Sequence, residues 1–329
     1  MPGRSATVLF IQAFGNRDLF TAVPPETMWG WQRNVGILVA LLKRRGISWR
    51  ERYSQQLSEI DEDAGLFFLR DWRYSAEEIF QLRQKFPHTP MISMLFKGPR
   101  FFEQAQQIGE KRALFSIRSA METGLKTYEK GLFLADRVIV RSKLNVTLLT
   151  QLGYPEEKMV LLPHAPVWTL NGDEIAPARL PCPQYGRVRQ HPHEFNLLFI
   201  GEQFLKKGLF RLYRAFSLLA IPQKRLHIFN RILYQSAQGA ALELPDYMRG
   251  TIRQMINDPS LCIHPPYQNL QGLVEAQAQM DLMICPSVLD CGPNVLIEAQ
   301  QLGTAVLSSQ LCGAVYDLAA GSIPLVAAP

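Results

Sequence analysis

Short apolar runs alternate with longer amphipathic segments along the whole sequence, and that alternation restricts the fold more than any other feature. A run that is apolar at consecutive positions suits a strand covered on both faces, as in a parallel sheet, whereas strict polar-apolar alternation marks a strand with one wet face. In the first half, Thr7 to Gln12, Leu66 to Arg70, Met91 to Leu95, Arg137 to Arg141 and Val160 to Leu162 read as strands, with helices such as Arg33 to Arg45 and Lys143 to Leu152 between them. In the second half, Leu197 to Gly201, Leu226 to Phe229, Cys262 to His264, Leu282 to Cys285 and Ala305 to Ser308 read as strands, with a helix at Leu209 to Leu219. The βαβ order predicts two doubly wound α/β domains.

Between the two series lies a stretch with five prolines (Pro166, Pro177, Pro181, Pro183 and Pro192), the pair Asn171-Gly172 and no sustained periodicity, so it reads as a connection. The expected organisation is a first domain at 1–165, a linker at 166–194 and a second domain at 195–329. Two domains also suit the length of 329 residues, because single cores stop growing before that size. Open parallel sheets bind ligands beyond the carboxyl ends of their strands, so the chemistry is expected in a cleft across which the two domains face each other.

Composition excludes several classes. With 47% hydrophobic and 19% charged residues the chain reads as globular rather than disordered or fibrous. Its longest apolar runs, such as Ile37 to Leu42, fall far short of the roughly 20 residues of a membrane-spanning helix. The run that opens at Ala6 is too short for a signal-peptide core, which points to the cytoplasm. Five cysteines (Cys182, Cys262, Cys285, Cys291 and Cys312) contain no CxxC pair, and His191 with His193 in a proline-rich stretch makes a poor ligand set, so no metal is expected. Gly201 to Gly208 lacks the spacing of a P-loop. The net charge of +6 is modest, and no nucleic-acid partner is expected. Lys43-Arg44-Arg45 with Arg50 and Arg52 is either a solvated helix end or a seat for anionic headgroups, which would make the protein peripheral at the inner face of the membrane.

The most informative segment runs from Cys285 to Ser309, CPSVLDCGPNVLIEAQQLGTAVLSS, and reads as strand, loop, helix, strand. Pro293 suits a first helical turn, Gly292 permits a sharp turn before it, and Val295, Leu296, Ala299 and Leu302 form an apolar stripe. The helix start at Pro293 to Val295 offers backbone N–H groups and a positive dipole end to an anion such as a diphosphate. Asp290 and Glu298, eight positions apart, flank that start and could accept hydroxyl protons from a sugar or ribose; a capping Asp and a solvated helix Glu would show the same spacing.

This segment resembles the donor-site motif of retaining GT-B glycosyltransferases of the family-4 type (group 1), in which two Glu eight apart surround a Gly-Phe-Pro-Asn-Val-like loop. Other resemblances follow in the same chain order: Ala135-Asp136-Arg137-Val138-Ile139-Val140 with Leu152-Gly153-Tyr154-Pro155 and Leu162-Pro163-His164, then Leu198-Phe199-Ile200-Gly201 through Lys206-Lys207-Gly208, then Met280-Asp281-Leu282-Met283-Ile284. The resemblance implies two Rossmann-like domains and a nucleotide-sugar donor, UDP- or GDP-linked, as substrate, with no separate cofactor. It implies that Lys207 holds the diphosphate, that Glu298 binds the ribose, that Asp290 contacts the donor sugar, and that Gly292, Asn294 and Val295 offer backbone groups. Catalytic roles fall to Lys207, Asp290 and Glu298; the donor set is Gly201, Lys206, Lys207, Gly292, Pro293, Asn294, Val295 and Glu298.

The implied reaction moves a sugar with retention to a hydroxyl of a polysaccharide, lipid-linked or small-molecule acceptor, as in carbohydrate biosynthesis. Gly30, Trp31, Arg33 and Lys97 sit where the resemblance puts the acceptor side. The sequence departs from the pattern at Glu202, which stands where relatives carry an arginine, at Asp290, a Glu in relatives, and near Lys97, where no histidine occurs. The chain also stops at Pro329, where relatives continue into C-terminal helices. These departures keep open an alternative, a catalytically silent GT-B homologue that binds a nucleotide sugar or a protein partner.

Overall fold

The computed structural model describes residues 7–12, 38–39, 42–54, 56–69, 74–95, 131–151, 153–162, 193–202, 207–240, 246–265, 276–287, 290, 293–309, 312 and 325–326. The chain divides into two compact units, Met1–His164 and Ala165–Pro329. The proline-rich stretch lies largely outside the described residues.

The first unit holds six parallel strands in the order β2-β1-β3-β4-β5-β6. They are β1 (Val8–Gln12), β2 (Trp49–Tyr53), β3 (Leu66–Leu69), β4 (Met91–Met94), β5 (Arg137–Val140) and β6 (Met159–Leu161). Alternation within β1 explains its unbroken apolar run. Leu9 and Ile11 enter one core with Phe67, Leu69 and Met91, whereas Val8 and Phe10 enter the opposite core with Phe68, Met94 and Ile139. Both faces are dry, so every position from Val8 to Ile11 is apolar. Helix α1 (Ala76–Lys85) starts on a complete capping box, in which the Ser75 side chain accepts from the Glu78 N–H and Glu78 reaches back to Ser75. Helix α2 (Lys143–Gln151) follows β5, and residues 38–39 and 42–44 within the expected Arg33 to Arg45 helix are helical.

Strand β2 was not expected from its composition. Its sequence, WRERY, is polar because it is the edge strand, paired with β1 alone, and Arg50 forms an ion pair with Glu62 at 2.8 Å. Arg50 is thus not a free member of a basic patch.

The second unit repeats the theme with six parallel strands in the order β12-β11-β10-β7-β8-β9. They are β7 (Phe195–Ile200), β8 (Lys224–Phe229), β9 (Leu261–His264), β10 (Leu282–Cys285), β11 (Ala305–Ser309) and β12 (Leu325–Val326). Helices α3 (Leu209–Leu218), α4 (Arg231–Ala237) and α5 (Asp246–Ile256) lie between β7 and β9, and α6 (Asn294–Gln301) lies between β10 and β11. Leu197, Phe199, Leu226 and Ile228 share a core with Leu212, Phe216, Leu233 and Ile252 of those first three helices. Leu198, Met283 and Cys285 pack with Leu296, Ile297 and Ala299 of α6 on the other face.

The order places β7, first in sequence, between β8 and β10, so successive strands are laid down outward in one direction and then in the other. The reversal between β7 and β10 is a topological switch point, where loops leaving the carboxyl ends diverge to opposite faces and leave a crevice. No helix among the described residues is long and apolar enough to cross a membrane.

Candidate functional site

The loops that leave β7 and β10 bring two oppositely charged side chains together at this switch point. Lys207 follows β7, Asp290 follows β10, and the Lys207 ammonium donates to the Asp290 carboxylate in a short ion pair. Their side chains are only 22% and 11% exposed. Burial alone would lower the lysine's pKa, but the adjacent Asp290 carboxylate outweighs it and holds the group above its ordinary value, so Lys207 stays charged.

Backbone geometry fixes this arrangement. Gly208 caps α3 in the left-handed region, with φ +74°, and a Cβ there would meet the Pro286 carbonyl oxygen at 2.1 Å. Only glycine lets the β7 loop close against the β10 loop. At Gly201 a Cβ would lie 3.1 Å from Cγ of Lys207, so the missing side chain leaves room for the lysine stem.

Helix α6 begins within the expected Pro293 to Val295. Pro293 is the N-cap, with extended backbone (φ −72°, ψ 121°), and Asn294 is the first helical residue. Proline has no polar side chain with which to cap the first-turn N–H groups, so the helix starts without a side-chain cap from its N-cap residue. Asp290 pairs with Lys207 and forms a parallel backbone bridge with Cys312. Glu298 is 0% exposed, which removes the solvated-helix reading of that residue.

Glu202 has a cationic neighbour of its own, its carboxylate lying 3.8 Å from Nε of Arg231. Burial raises its pKa, and the Arg231 charge acts against that rise. Asn230, 0% exposed, ties the loop after β7 to the start of α4: its Nδ2 donates to the carbonyls of Gly201 (2.5 Å) and Glu202 (3.0 Å), and its Oδ1 accepts from the Leu233 N–H at 2.8 Å. Sequence reasoning passed over Asn230 and Arg231; the one available signal was an Asn between an apolar run and the next helix, an N-cap pattern.

Of the expected site residues, Gly201, Lys207, Asp290, Pro293, Asn294, Val295 and Glu298 all lie in the loops after β7 and β10 or in the first turns of α6. Lys206, Gly292, Gly30, Trp31, Arg33 and Lys97 fall outside the described residues. Among those described, no group of three or more His, Cys, Asp and Glu could hold a metal ion.

No protein-family model matches the sequence, and no curated protein matches it. Solved structures do match. A sucrose-phosphate synthase from Thermosynechococcus elongatus aligns with a TM-score of 0.66 at 17% identity, covering 98% of this chain and 86% of that one. WaaG, a glycosyltransferase of lipopolysaccharide biosynthesis, aligns at 0.59 with 14% identity, covering 98% and 86%. Anabaena HepE in complex with UDP aligns at 0.58 with 13% identity, covering 98% and 85%. At these identities the likeness speaks for architecture, and the chain has the two-unit α/β fold of the GT-B glycosyltransferases.

Proposed function

We propose that the protein is a glycosyltransferase that moves a sugar from a nucleoside-diphosphate sugar to a hydroxyl acceptor with retention. Fold alone leaves function open. The observation that carries the reading is the convergence of Lys207 and Asp290 at the switch point, from the loops after β7 and β10, on the loop that leads into α6 and its buried Glu298.

In this reading the Lys207 ammonium and the backbone N–H groups at the start of α6 bind the diphosphate and stabilise the charge that grows on it as it departs. Glu298 accepts from ribose hydroxyls and Asp290 from the donor sugar. The acceptor oxygen bonds to the anomeric carbon on the face from which the phosphate oxygen leaves, and the departing phosphate takes the acceptor's proton. No metal or separate cofactor is required, because Lys207 supplies the positive charge. HepE has been solved with UDP and with UDP-glucose, which favours a uridine nucleotide for this chain too. The acceptor side falls to Gly30, Trp31, Arg33 and Lys97, for a sugar or lipid-linked hydroxyl, and the basic Lys43-Arg44-Arg45 segment supports a cytoplasmic protein that touches anionic membrane.

Calorimetric titration with UDP, GDP and ADP tests the reading, repeated on Lys207→Ala and Glu298→Ala. Tight binding of one nucleotide, lost in both variants, supports it; no heat with any of the three would overturn it. One observation favours a second reading, a silent homologue: in the resting site Lys207 is already neutralised by Asp290, and the neighbouring loop presents Glu202. Nucleotide binding without transfer to any hydroxyl acceptor would select that alternative.

A further inference from the structure

Two thiols lie beneath the Lys207–Asp290 pair and take no part in the chemistry above. Cys285 closes β10, Cys312 bridges to Asp290, and their Sγ atoms are 3.5 Å apart. Both are buried, at 4% and 0% exposure. They share an apolar cluster with Met283 and Leu296, but polar groups reach in: Cys285 Sγ lies 3.3 Å from Ser287 Oγ, and the Cys285 carbonyl accepts from Ser308 Oγ at 3.3 Å.

We propose that Cys285 and Cys312 form a redox-active dithiol that hydrogen peroxide closes to a disulfide. The sulfurs need to approach by only about 1.5 Å to reach a disulfide bond length. The two thiols are also differentiated. The hydrogen bond from Cys312 holds the Cys285 pKa below the ordinary thiol value against the effect of burial, and the Lys207 ammonium acts in the same direction while Asp290 opposes it. Cys312 is pushed well above the ordinary value by that same hydrogen bond and by burial. Cys285, the thiol nearer in effect to the Lys207 ammonium, is given the attacking role and Cys312 the resolving one, and the Cys312→Ser variant below decides between them.

Burial selects the oxidant. A peptide-sized disulfide cannot reach sulfurs exposed at 4% and 0%, whereas peroxide is little larger than water. The Cys285 thiolate attacks one peroxide oxygen, the O–O bond breaks, and hydroxide leaves to take up a proton, giving a sulfenic acid and water. The Cys312 sulfur then attacks the Cys285 sulfur, expelling the sulfenic oxygen as a second water as the Cys312 proton is taken up. Two thiols and one peroxide thus give one disulfide and two waters, with two electrons passing from sulfur to oxygen. The inference stands on the thiols and does not require glycosyl transfer.

The test treats the reduced full-length chain with hydrogen peroxide, alkylates it under denaturing conditions and maps its peptides by mass spectrometry. The expected map joins the Cys285 and Cys312 peptides with a loss of two hydrogens, reversed by dithiothreitol. Cys262, whose pKa is raised by burial and which has no thiol neighbour among the described residues, should remain alkylatable. In Cys312→Ser, Cys285 should stop at the sulfenic acid, trapped by dimedone added together with the denaturant. Recovery of both thiols fully alkylated after peroxide, or a cross-link from Cys285 to Cys182 or Cys291 instead, would overturn the proposal. The wild-type map decides even where the variant fails to fold.

Discussion

A Cβ placed on Gly208 would lie 2.1 Å from the carbonyl oxygen of Pro286, closer than any real contact of that kind. The β7 loop and the β10 loop therefore touch backbone to backbone, and the lysine one position earlier is aimed by that contact.

Gly208→Ala should destabilise the protein by more than about 2 kcal/mol, since the left-handed backbone penalty adds to a forced separation of the loops. Gly46→Ala is the control: φ is +64° there too, but a Cβ meets nothing within 4 Å, so only the backbone penalty of about 1 kcal/mol applies. Urea unfolding of both variants measures the difference. Equal losses would mean that the Pro286 contact yields without cost.

Lys207→Met deprives a carboxylate that is 11% exposed of its ammonium, and the expected cost is about 3 kcal/mol. Combining it with Asp290→Asn should restore part of that loss, because the uncompensated charge goes with the partner. A double-mutant cycle read by chemical denaturation gives the coupling; strictly additive losses would show that the two side chains do not interact.

Tyr154 is 1% exposed, its hydroxyl has no hydrogen-bond partner among the described residues, and burial pushes its pKa up to about 12. Removing that hydroxyl in Tyr154→Phe keeps the edge contact with Phe133 at 5.2 Å between ring centroids and should stabilise the fold by about 1 kcal/mol. A melting temperature that falls instead would show that the hydroxyl is satisfied in solution.

His264 stacks on Phe229 at 4.4 Å between ring centroids and shares a hydrogen bond of 2.9 Å with His227. Burial lowers its pKa below 6.5, so the folded state favours the neutral ring. The unfolded chain takes up the proton first as pH falls; stability should therefore be intact above about pH 6.5 and decline from there down to the lowered folded value. Denaturation midpoints measured across that range should slope in the wild type and flatten in His264→Phe. A wild-type profile as flat as that of the variant would refute the assignment.

The parallel strands with two dry faces were legible because consecutive apolar residues leave few alternatives, as in Val8 to Ile11 and Leu197 to Phe199. The edge strand β2 was not, because it pairs with β1 alone and, of its described side chains, only Trp49 packs against the core, on Phe10, while Arg50 and Arg52 are exposed. Spacing alone could point to Lys207, Asp290 and Glu298 but could not show that the first two meet, since 83 residues separate them and only the strand order unites their loops. The same limit hid the Cys285–Cys312 contact, which depends on the adjacency of β10 and β11. Asp136, noticed as part of a motif, turns out to organise the fold: it accepts from the Met91 N–H at 2.7 Å and pairs with Arg83 at 2.6 Å.

The side chain of Asn230 has a consequence for how this molecule can vary. One amide serves two carbonyls and one N–H at once, so each neighbouring residue type fails differently. Aspartate keeps the cap on Leu233 but sets a negative charge against two carbonyl oxygens; leucine fills the space and abandons all three groups. Position 230 is thus closed to gradual drift, and a diverging variant of this chain should alter the residues around this amide before it alters the amide itself.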